Sequence, residues 1–343
     1  MPISPSDLAT EYRAATENVA LFDLSDHGKI TLRGPDARVF LQNLCTQDVK
    51  SLPVGGGCEA FLTTNKARVV AHIWISNHQQ DSEEGLWLDM VAGQGDKVLA
   101  HLNHYLISEQ VELTDLTREY ALLRLVGPDA AAPLARLTDA KFQSLLPLYH
   151  VFVPGIGCIR RQLLLGIEGF DLICLVSQAA EFRQRLVEAG AILAGFQTYD
   201  ILRIEAGLPH YGVDIDENRL AMEVGRTAQA ISYTKGCYLG QETIVMARDR
   251  GQVNRLLMGV KVADGSPLAA GTKLFKGSED VGQVTSSVQS PRLGQVIALA
   301  YLRRGSWEPG TELMIDPATD GRRAVVCALP FIPEHPSSSR KEQ

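Results

Sequence analysis

The sequence has no long apolar run, no excess of positive charge and no pair of cysteines at metal-binding spacing. No stretch approaches the roughly 18–20 apolar residues that cross a bilayer as a helix, so we expect no membrane partner. The net charge of -7 disfavours electrostatic binding to nucleic acid or to an anionic membrane surface. The first residues show neither a basic start nor an apolar stretch of the secretory type, so we expect a cytoplasmic protein.

The six cysteines are scattered, with no CxxC pair and no neighbouring histidine at ligand spacing. A disulfide framework is unfavourable in a long chain of this expected location. Local zinc-site spacing is also missing, so no metal is predicted, although a metal held by cysteines that are distant in sequence stays open.

The length of 343 residues, with 45% hydrophobic and 21% charged residues, indicates a folded protein of two or three domains. A strand, a Gly-Pro-Asp turn and a helix are predicted around Gly34, and the same order returns around Gly127. The two copies suggest a duplicated half-module, but each turn could equally be a common local geometry. Strands and helices alternate without a GxGxxG fingerprint, which favours an α+β fold over a dinucleotide-binding one.

From about Arg255 the chain changes to short apolar runs broken by glycine and proline. Such runs with almost no helical periodicity predict a small antiparallel β-barrel. The Ser-rich polar end predicts a disordered tail. We therefore predict an α+β region over 1–253, a barrel over 254–334 and a disordered tail over 335–343.

The most unusual stretch is KGCYLGQE, which runs from Lys235 to Glu242. Its two glycines permit backbone shapes closed to other residues, and a helix is predicted to begin at its end. A thiol beside a lysine and near a helix N-terminus has its thiolate favoured, which is the route to a reactive or metal-ligating cysteine. The alternative is a tight turn with a half-buried cysteine and a solvated lysine.

A second candidate cluster lies just upstream, in RIEAGLPHYGVDIDEN. Arg203 and Glu205 fall near a helix end, ahead of an acidic loop that is too long for a simple turn. A carboxylate can accept two parallel N–H bonds from a planar donor pair, as on an aminopyrimidinone edge. On chemistry alone, two ordinary surface charges at a solvated helix end are favoured.

Several segments together resemble the YgfZ family, the folate-binding relatives of the glycine cleavage T-protein. The string KGCYLGQE is similar to that family's signature, and the similarity extends over roughly residues 10 to 332. The supporting segments are CTQDVKSLPVGGGCEAFLTTNKARVVA, GIEGFDL, RIEAGLPHYGVDID and VGQVTSSVQSPRLGQVIALAYL.

The resemblance implies a three-lobed ring, in which two interleaved α+β lobes are followed by the barrel and tetrahydrofolate binds in a central opening. It also implies a role in the assembly or repair of iron–sulfur clusters in client enzymes, including enzymes that modify tRNA. The implied partners are a reduced folate and iron–sulfur client or assembly proteins.

The resemblance places functional roles on particular residues. Cys237 would be a reactive thiol or transient cluster ligand, and Lys235 would lower its pKa or bind an anionic group. Glu205 falls where the T-proteins hold the pterin edge, and Arg226 and Arg248 would meet the folate carboxylates. The rest of the signature adds Gly236, Tyr238, Gly240, Gln241 and Glu242.

The sequence departs from the family pattern at several positions. Met246 and Ala221 replace an arginine and a proline that are usual there. The T-proteins carry a catalytic aspartate after an Asn-Ala motif, and this sequence has Val98 at the aspartate position, with Asp96 two residues away. Aminomethyl transfer is therefore disfavoured. The leading hypothesis is a folate-binding accessory protein of iron–sulfur assembly, followed by a folate-dependent aminomethyltransferase and then by a ring-shaped scaffold without folate.

Overall fold

The computed structural model describes residues 7–80, 83–138, 142, 144–251, 253–317 and 321–333, so the predicted tail 335–343 lies outside it. The described helices are α1 Leu8–Glu17, α2 Ala37–Leu44, α3 Gly95–Tyr105, α4 Ala131–Thr138, α5 Val176–Glu188, α6 Phe196–Glu205, a 3-10 turn Ala221–Val224, α7 Thr227–Ala230 and α8 Gln241–Arg250. The strands before residue 200 are β1 Ala20–Asp23, β2 Gly28–Arg33, β3 Gly57–Thr63, β4 Val69–Gln80, β5 Glu83–Met90, β6 Glu112–Asp115, β7 Tyr120–Val126, β8 His150–Val153, β9 Gly157–Gln162, β10 Gly169–Leu175 and β11 Ile192–Leu193. The later strands are β12 Arg255–Val262, β13 Lys273–Lys276, β14 Glu279–Ser290, β15 Gln295–Arg303, β16 Glu312–Ile315 and β17 Arg323–Cys327.

Two sheets and a barrel organise the chain. The first lobe holds a five-stranded sheet in the order β3-β4-β5-β2-β6, and the second a six-stranded sheet in the order β11-β1-β7-β10-β9-β8. Because β1 precedes the whole first sheet in sequence yet pairs with β7 and β11, the two α+β lobes are interleaved. The predicted α+β fold class is confirmed.

The third unit is a closed antiparallel barrel in the order β12-β15-β14-β13-β16-β17. Its strands range from four residues in β13 to twelve in β14, so the predicted short runs include longer strands. The buried side chains of its core are small or aliphatic, as in Val260, Ala298 and Ala324. Closure leaves no unpaired strand edge, so even the four-residue strands β13 and β16 are paired on both sides.

The two Gly-Pro-Asp turns occupy equivalent places in the two lobes. Gly34 follows β2 and Gly127 follows β7, and each turn leads into a helix, α2 or α4. Both glycines have positive φ angles, +115° and +141°, and a Cβ at either would press on a backbone carbonyl, of Gln110 or Asn18. The shared constraint favours a duplicated half-module over a coincidence of turn chemistry.

The faces of the two sheets pack on one another. Trp74 and Trp87 of the first sheet join Leu122, Cys158 and Ile173 of the second in one buried cluster. Side chains from distant parts of the sequence therefore meet between the lobes. Among the described residues, no helix is long and apolar enough to span a membrane.

Candidate functional site

The signature segment KGCYLGQE runs from the loop after α7 into the first turn of α8, and hydrogen bonds of its backbone hold it to the first lobe. The Leu239 N–H donates to the Asn43 carbonyl at 2.8 Å, and the Thr63 hydroxyl donates to the Leu239 carbonyl at 2.8 Å. Gly240 has a φ of +84°, and a Cβ there would lie 2.6 Å from the Thr64 carbonyl oxygen. A side chain does not fit at this position, so the glycine is required by both conformation and space.

Lys235 is buried against the carboxyl end of α2. Its Nζ donates to the carbonyls of Gln42, Cys45 and Gln47 at 2.6, 2.8 and 2.8 Å. These three bonds use every donor of an ammonium group, and those to Gln42 and Cys45 satisfy carbonyls at the end of α2. Burial lowers the pKa of Lys235. The Lys235 ammonium group therefore binds backbone carbonyls in the structure, and the expected contact with Cys237 or with an anion would have to compete with these bonds.

Cys237 is the exposed cysteine of the six, since the others are buried or half-buried. Its neighbour Gly236 has ordinary φ, and a Cβ there would meet no atom within 4 Å. Neither backbone strain nor packing therefore requires a glycine at 236, in contrast to 240. The consequence is an open approach to the Cys237 thiol from the side of residue 236.

The rest of the signature divides into a buried anchor and an exposed helix start. Tyr238 is buried in an apolar cluster with Ile231 and Ile244. Burial raises the pKa of Tyr238 to about 12. Gln241 and Glu242 form the first turn of α8, and Glu242 is exposed. An acidic residue in the first turn complements the helix dipole, so Glu242 has a structural reason to be there.

Arg248 lies on the exposed surface of α8. Its Nε donates to Asp249 at 2.6 Å, and its guanidinium lies 4.9 Å from the centre of the Tyr233 ring. Met246, at the position where relatives often have arginine, is 40% exposed. An anionic ligand at the surface of α8 would therefore find a cation at Arg248 and none at Met246.

Arg226 is engaged inside the protein by Glu59. The guanidinium binds the carboxylate in a two-point manner at 2.9 and 2.5 Å, and His72 Nε2 lies 2.8 Å from the same carboxylate. Burial opposes ionisation of Glu59, but the hydrogen bonds from Arg226 and His72 outweigh it and lower its pKa to about 2. The expected contact of Arg226 with a folate carboxylate would have to compete with this ion pair.

Glu205 is fully buried at the junction of α1, α6 and the barrel. Its carboxylate accepts the Tyr12 hydroxyl at 2.7 and 2.9 Å, the Ser290 hydroxyl at 2.5 Å and Arg292 Nη2 at 2.7 Å. Tyr12 is 6% and Ser290 0% exposed, whereas the Arg292 side chain is 27% exposed. Arg292 is thus the partner through which solvent reaches this cluster.

Arg203 lies two residues before Glu205 on α6 and forms a separate buried network. Its guanidinium donates to Asp200 at 2.6 Å, to Asp214 at 2.7 Å and to the Ser286 hydroxyl at 2.9 Å. Arg203 is 2% exposed and Glu205 0%. The interpretation of these two residues as ordinary surface charges is therefore wrong.

The position expected for a catalytic aspartate is apolar and buried. Val98 is 0% exposed and belongs to the core of the first lobe. Asp96 lies in the first turn of α3 and is exposed, so it does not take the place of Val98. Between them, Lys97 donates to the Tyr211 hydroxyl at 2.6 Å and pairs with Glu217 at 2.7 Å.

The partners of the predicted residues were invisible to local sequence reasoning. Tyr12 lies 193 residues before Glu205, and Arg292 lies 87 residues after it. Glu59 lies 167 residues before Arg226. No motif spacing links residues this far apart, so only the assembled lobes identify them.

The comparisons with known proteins extend over nearly the whole chain. The GCVT N-terminal domain matches residues 4–233, and the glycine cleavage T-protein C-terminal barrel domain matches residues 255–332. An aminomethyltransferase of Rubrobacter xylanophilus is 31% identical over 96% of this chain and 88% of the relative. One from Geobacillus kaustophilus is 30% identical over 96% of this chain and 92% of the relative.

A solved structure supports the same fold. The glycine cleavage system aminomethyltransferase T from Bartonella henselae superposes with a TM-score of 0.86, covering 98% of this chain and 92% of that one at 24% identity. The narrower expectation of a YgfZ protein gains no support from these relatives. The matches to both domains and the identity with full-length relatives show that the chain belongs to the glycine cleavage T-protein (GcvT) family.

Proposed function

We propose that this protein binds a reduced folate and acts as a tetrahydrofolate-dependent one-carbon transferase of the aminomethyltransferase type. The observation that carries the proposal is the identity of about 30% with aminomethyltransferases over 96% of the chain, through both the α+β lobes and the barrel. Aminomethyltransferases of this family use tetrahydrofolate as their one-carbon carrier. The same cofactor is implied by the segments around Glu205 and the signature.

Glu205 is the residue we propose for the pterin edge. Its Oε2 accepts two N–H bonds from the planar guanidinium of Arg292, from Nε at 3.2 Å and from Nη2 at 2.7 Å. A pterin edge also presents a planar pair of N–H donors, which a carboxylate can accept. Because Arg292 is the partially exposed partner, it is the group that a pterin would displace, while Tyr12 and Ser290 hold the carboxylate in place.

A second candidate is the accessory role in iron–sulfur cluster assembly or repair, including clusters of tRNA-modifying enzymes, that typifies the YgfZ family. Two observations favour it. Val98 supplies no carboxylate to the amine of the folate, and Asp96 is exposed elsewhere on α3. In addition, Cys237 is exposed beside a glycine that packing does not require. In this role the folate would be a bound ligand and Cys237 would meet a client protein.

An anaerobic calorimetric titration with tetrahydrofolate, followed by an assay of turnover with an aminomethyl donor, tests both candidates. We expect saturable binding by the wild type, weakened binding by Glu205→Gln and unchanged binding by Cys237→Ser. Turnover that survives Cys237→Ser but not Glu205→Gln supports the transferase.

Binding without turnover, together with loss of iron–sulfur client activity in cells that carry Cys237→Ser, supports the accessory role. Failure of all three proteins to bind tetrahydrofolate would reject both candidates and leave a scaffold without folate.

A further inference from the structure

Two histidines and a cysteine meet between the two lobes, away from the signature segment. His78 comes from β4 of the first sheet, whereas His150 begins β8 and Cys158 lies in β9 of the second sheet. The imidazole rings of His78 and His150 are stacked, with centroids 4.0 Å apart and planes 22° apart. One donor atom from each of the three residues lies within 4.8 Å of the others.

Buried nitrogen atoms in this cluster have no hydrogen-bond partner among the described residues. They are Nε2 of His78 and Nδ1 of His150. His150 is 8% and Cys158 6% exposed, and the Trp87 ring lies 5.7 Å from the His78 ring as an apolar wall. Buried polar atoms are nearly always satisfied, so two orphan imidazole nitrogens side by side indicate a missing partner.

The charges around the cluster are balanced, which allows a cation to enter. Arg160 lies opposite His150 in the pairing of β8 with β9, and its guanidinium is paired with both Asp89 and Asp171. Arg124 is also paired with Asp171, so two guanidinium groups face two carboxylates. The charged groups around the cluster therefore cancel one another. A bound divalent metal would receive its negative charge from the Cys158 thiolate.

We propose that His78, His150 and Cys158 form a binding site for a zinc-class divalent metal that ties the two lobes together. Imidazole nitrogen and thiolate sulfur are both ligands that zinc accepts, and water can take the fourth position of a tetrahedral site. Donor atoms in such a tetrahedral site lie roughly 3.3–3.8 Å apart, so side-chain movements of about 1 Å close the cluster on the ion.

The binding step has a simple balance. The hydrated ion gives up aqua ligands to solvent, keeps one water, and forms one bond to a nitrogen of each imidazole and one to the Cys158 sulfur. The thiol proton is released to solvent, and no oxidant or reductant is required. The site is independent of folate, because none of its three ligands belongs to the segments proposed to bind folate.

Cobalt(II) is the probe that tests the site. Full-length protein, stripped with a chelator and kept reduced under argon, is titrated with cobalt(II) while its absorption is recorded. We expect one equivalent to produce the intense visible bands of a four-coordinate ion together with a thiolate charge-transfer band. Cys158→Ser should remove the charge-transfer band and weaken binding more than about 100-fold, because loss of even an outer partner of a ligand costs about 10–100-fold.

Three matched variants serve as controls and should leave the spectrum unchanged. Cys174→Ser removes another buried cysteine of the second lobe, Cys237→Ser removes the exposed thiol, and His101→Gln removes a histidine of α3. His78→Gln should weaken binding while keeping the charge-transfer band, because the thiolate ligand remains.

Two results would overturn the proposal. One is a charge-transfer band that survives in Cys158→Ser but disappears in Cys237→Ser, and the other is no saturation near one equivalent. If Cys158→Ser does not fold, X-ray absorption of the zinc-loaded wild type decides the matter. One sulfur and at least two imidazole nitrogens around zinc support the site, and a sulfur-free shell rejects it.

Discussion

The buried ion pair between Glu59 and Arg226 supplies a sharp test of how the structure uses a residue that was expected to bind folate. Glu59 is 3% exposed and its pKa falls from an ordinary 4.5 to about 2. A folded-state pKa below the unfolded-state value means that the stabilisation is complete above pH 4.5 and is lost as the pH falls toward 2. The difference corresponds to about 3 kcal/mol of the free energy of unfolding.

We therefore predict that Glu59→Gln lowers the free energy of unfolding at pH 7 by about 3–5 kcal/mol, because Arg226 loses its buried partner. The stability difference between wild type and variant should shrink by about 3 kcal/mol between pH 5 and pH 2. Urea unfolding at a series of pH values, followed by circular dichroism, measures both quantities. Taking the difference between the two proteins cancels the other carboxylates, such as Asp171, whose pKa is also lowered to about 2 by Arg124 and Arg160 against the effect of burial.

A difference between wild type and Glu59→Gln that stays constant across this pH range would rule out the stabilising role of the Glu59 carboxylate. Loss of tetrahydrofolate binding in Arg226→Met without any loss of stability would also rule it out, since Arg226 would then serve the ligand and not Glu59.

Three further predictions concern the signature segment. Lys235→Met should lower the free energy of unfolding by about 2–4 kcal/mol, because it removes three charge-assisted hydrogen bonds at the end of α2. Unchanged unfolding by denaturant together with altered reactivity of Cys237 would contradict this structural role of Lys235. Gly240→Ala should lower the free energy of unfolding by about 1–3 kcal/mol, because position 240 combines a positive φ with a close backbone carbonyl. Gly236→Ala should change it by less than about 0.5 kcal/mol. Equal losses of thermal stability in the two variants would contradict this difference between the two positions. Mass spectrometry after brief alkylation of the native protein should find Cys237 modified first and no fast-reacting thiol in Cys237→Ser; fast labelling of a buried cysteine would argue against the described exposure.

Several features of the fold could be predicted from local patterns. The two Gly-Pro-Asp turns and the change to an antiparallel barrel near Arg255 both follow from turn residues and apolar periodicity. The pairing of β1 with β7, in contrast, could not be predicted. The four residues of β1 carry no signal that they skip the first sheet, because strand partners are selected by packing between distant segments.

The site shows the same division at the level of single residues. Sequence chemistry gave both glycines of KGCYLGQE the same backbone reason, but only Gly240 has a positive φ and a close carbonyl, whereas Gly236 has neither. Cys237 is exposed. Lys235 is two residues from Cys237 in sequence, but the partners of its ammonium group in the structure are the carbonyls of Gln42, Cys45 and Gln47. A lysine side chain is long enough to bury its charge far from its own backbone, so adjacency in sequence does not determine what the ammonium contacts.

The sequence by itself determined the α+β class, the presence of a C-terminal barrel and the relation to the T-proteins, because turn chemistry, periodicity and motif identity are local properties. Only the tertiary structure decided that Glu205 is held by Tyr12, Ser290 and Arg292, and that His78 meets His150 and Cys158 between the lobes. Contacts of this kind depend on how two sheets and a barrel pack together. Their energies are set by burial, which makes every unpaired charge or nitrogen costly and which no single segment of sequence records.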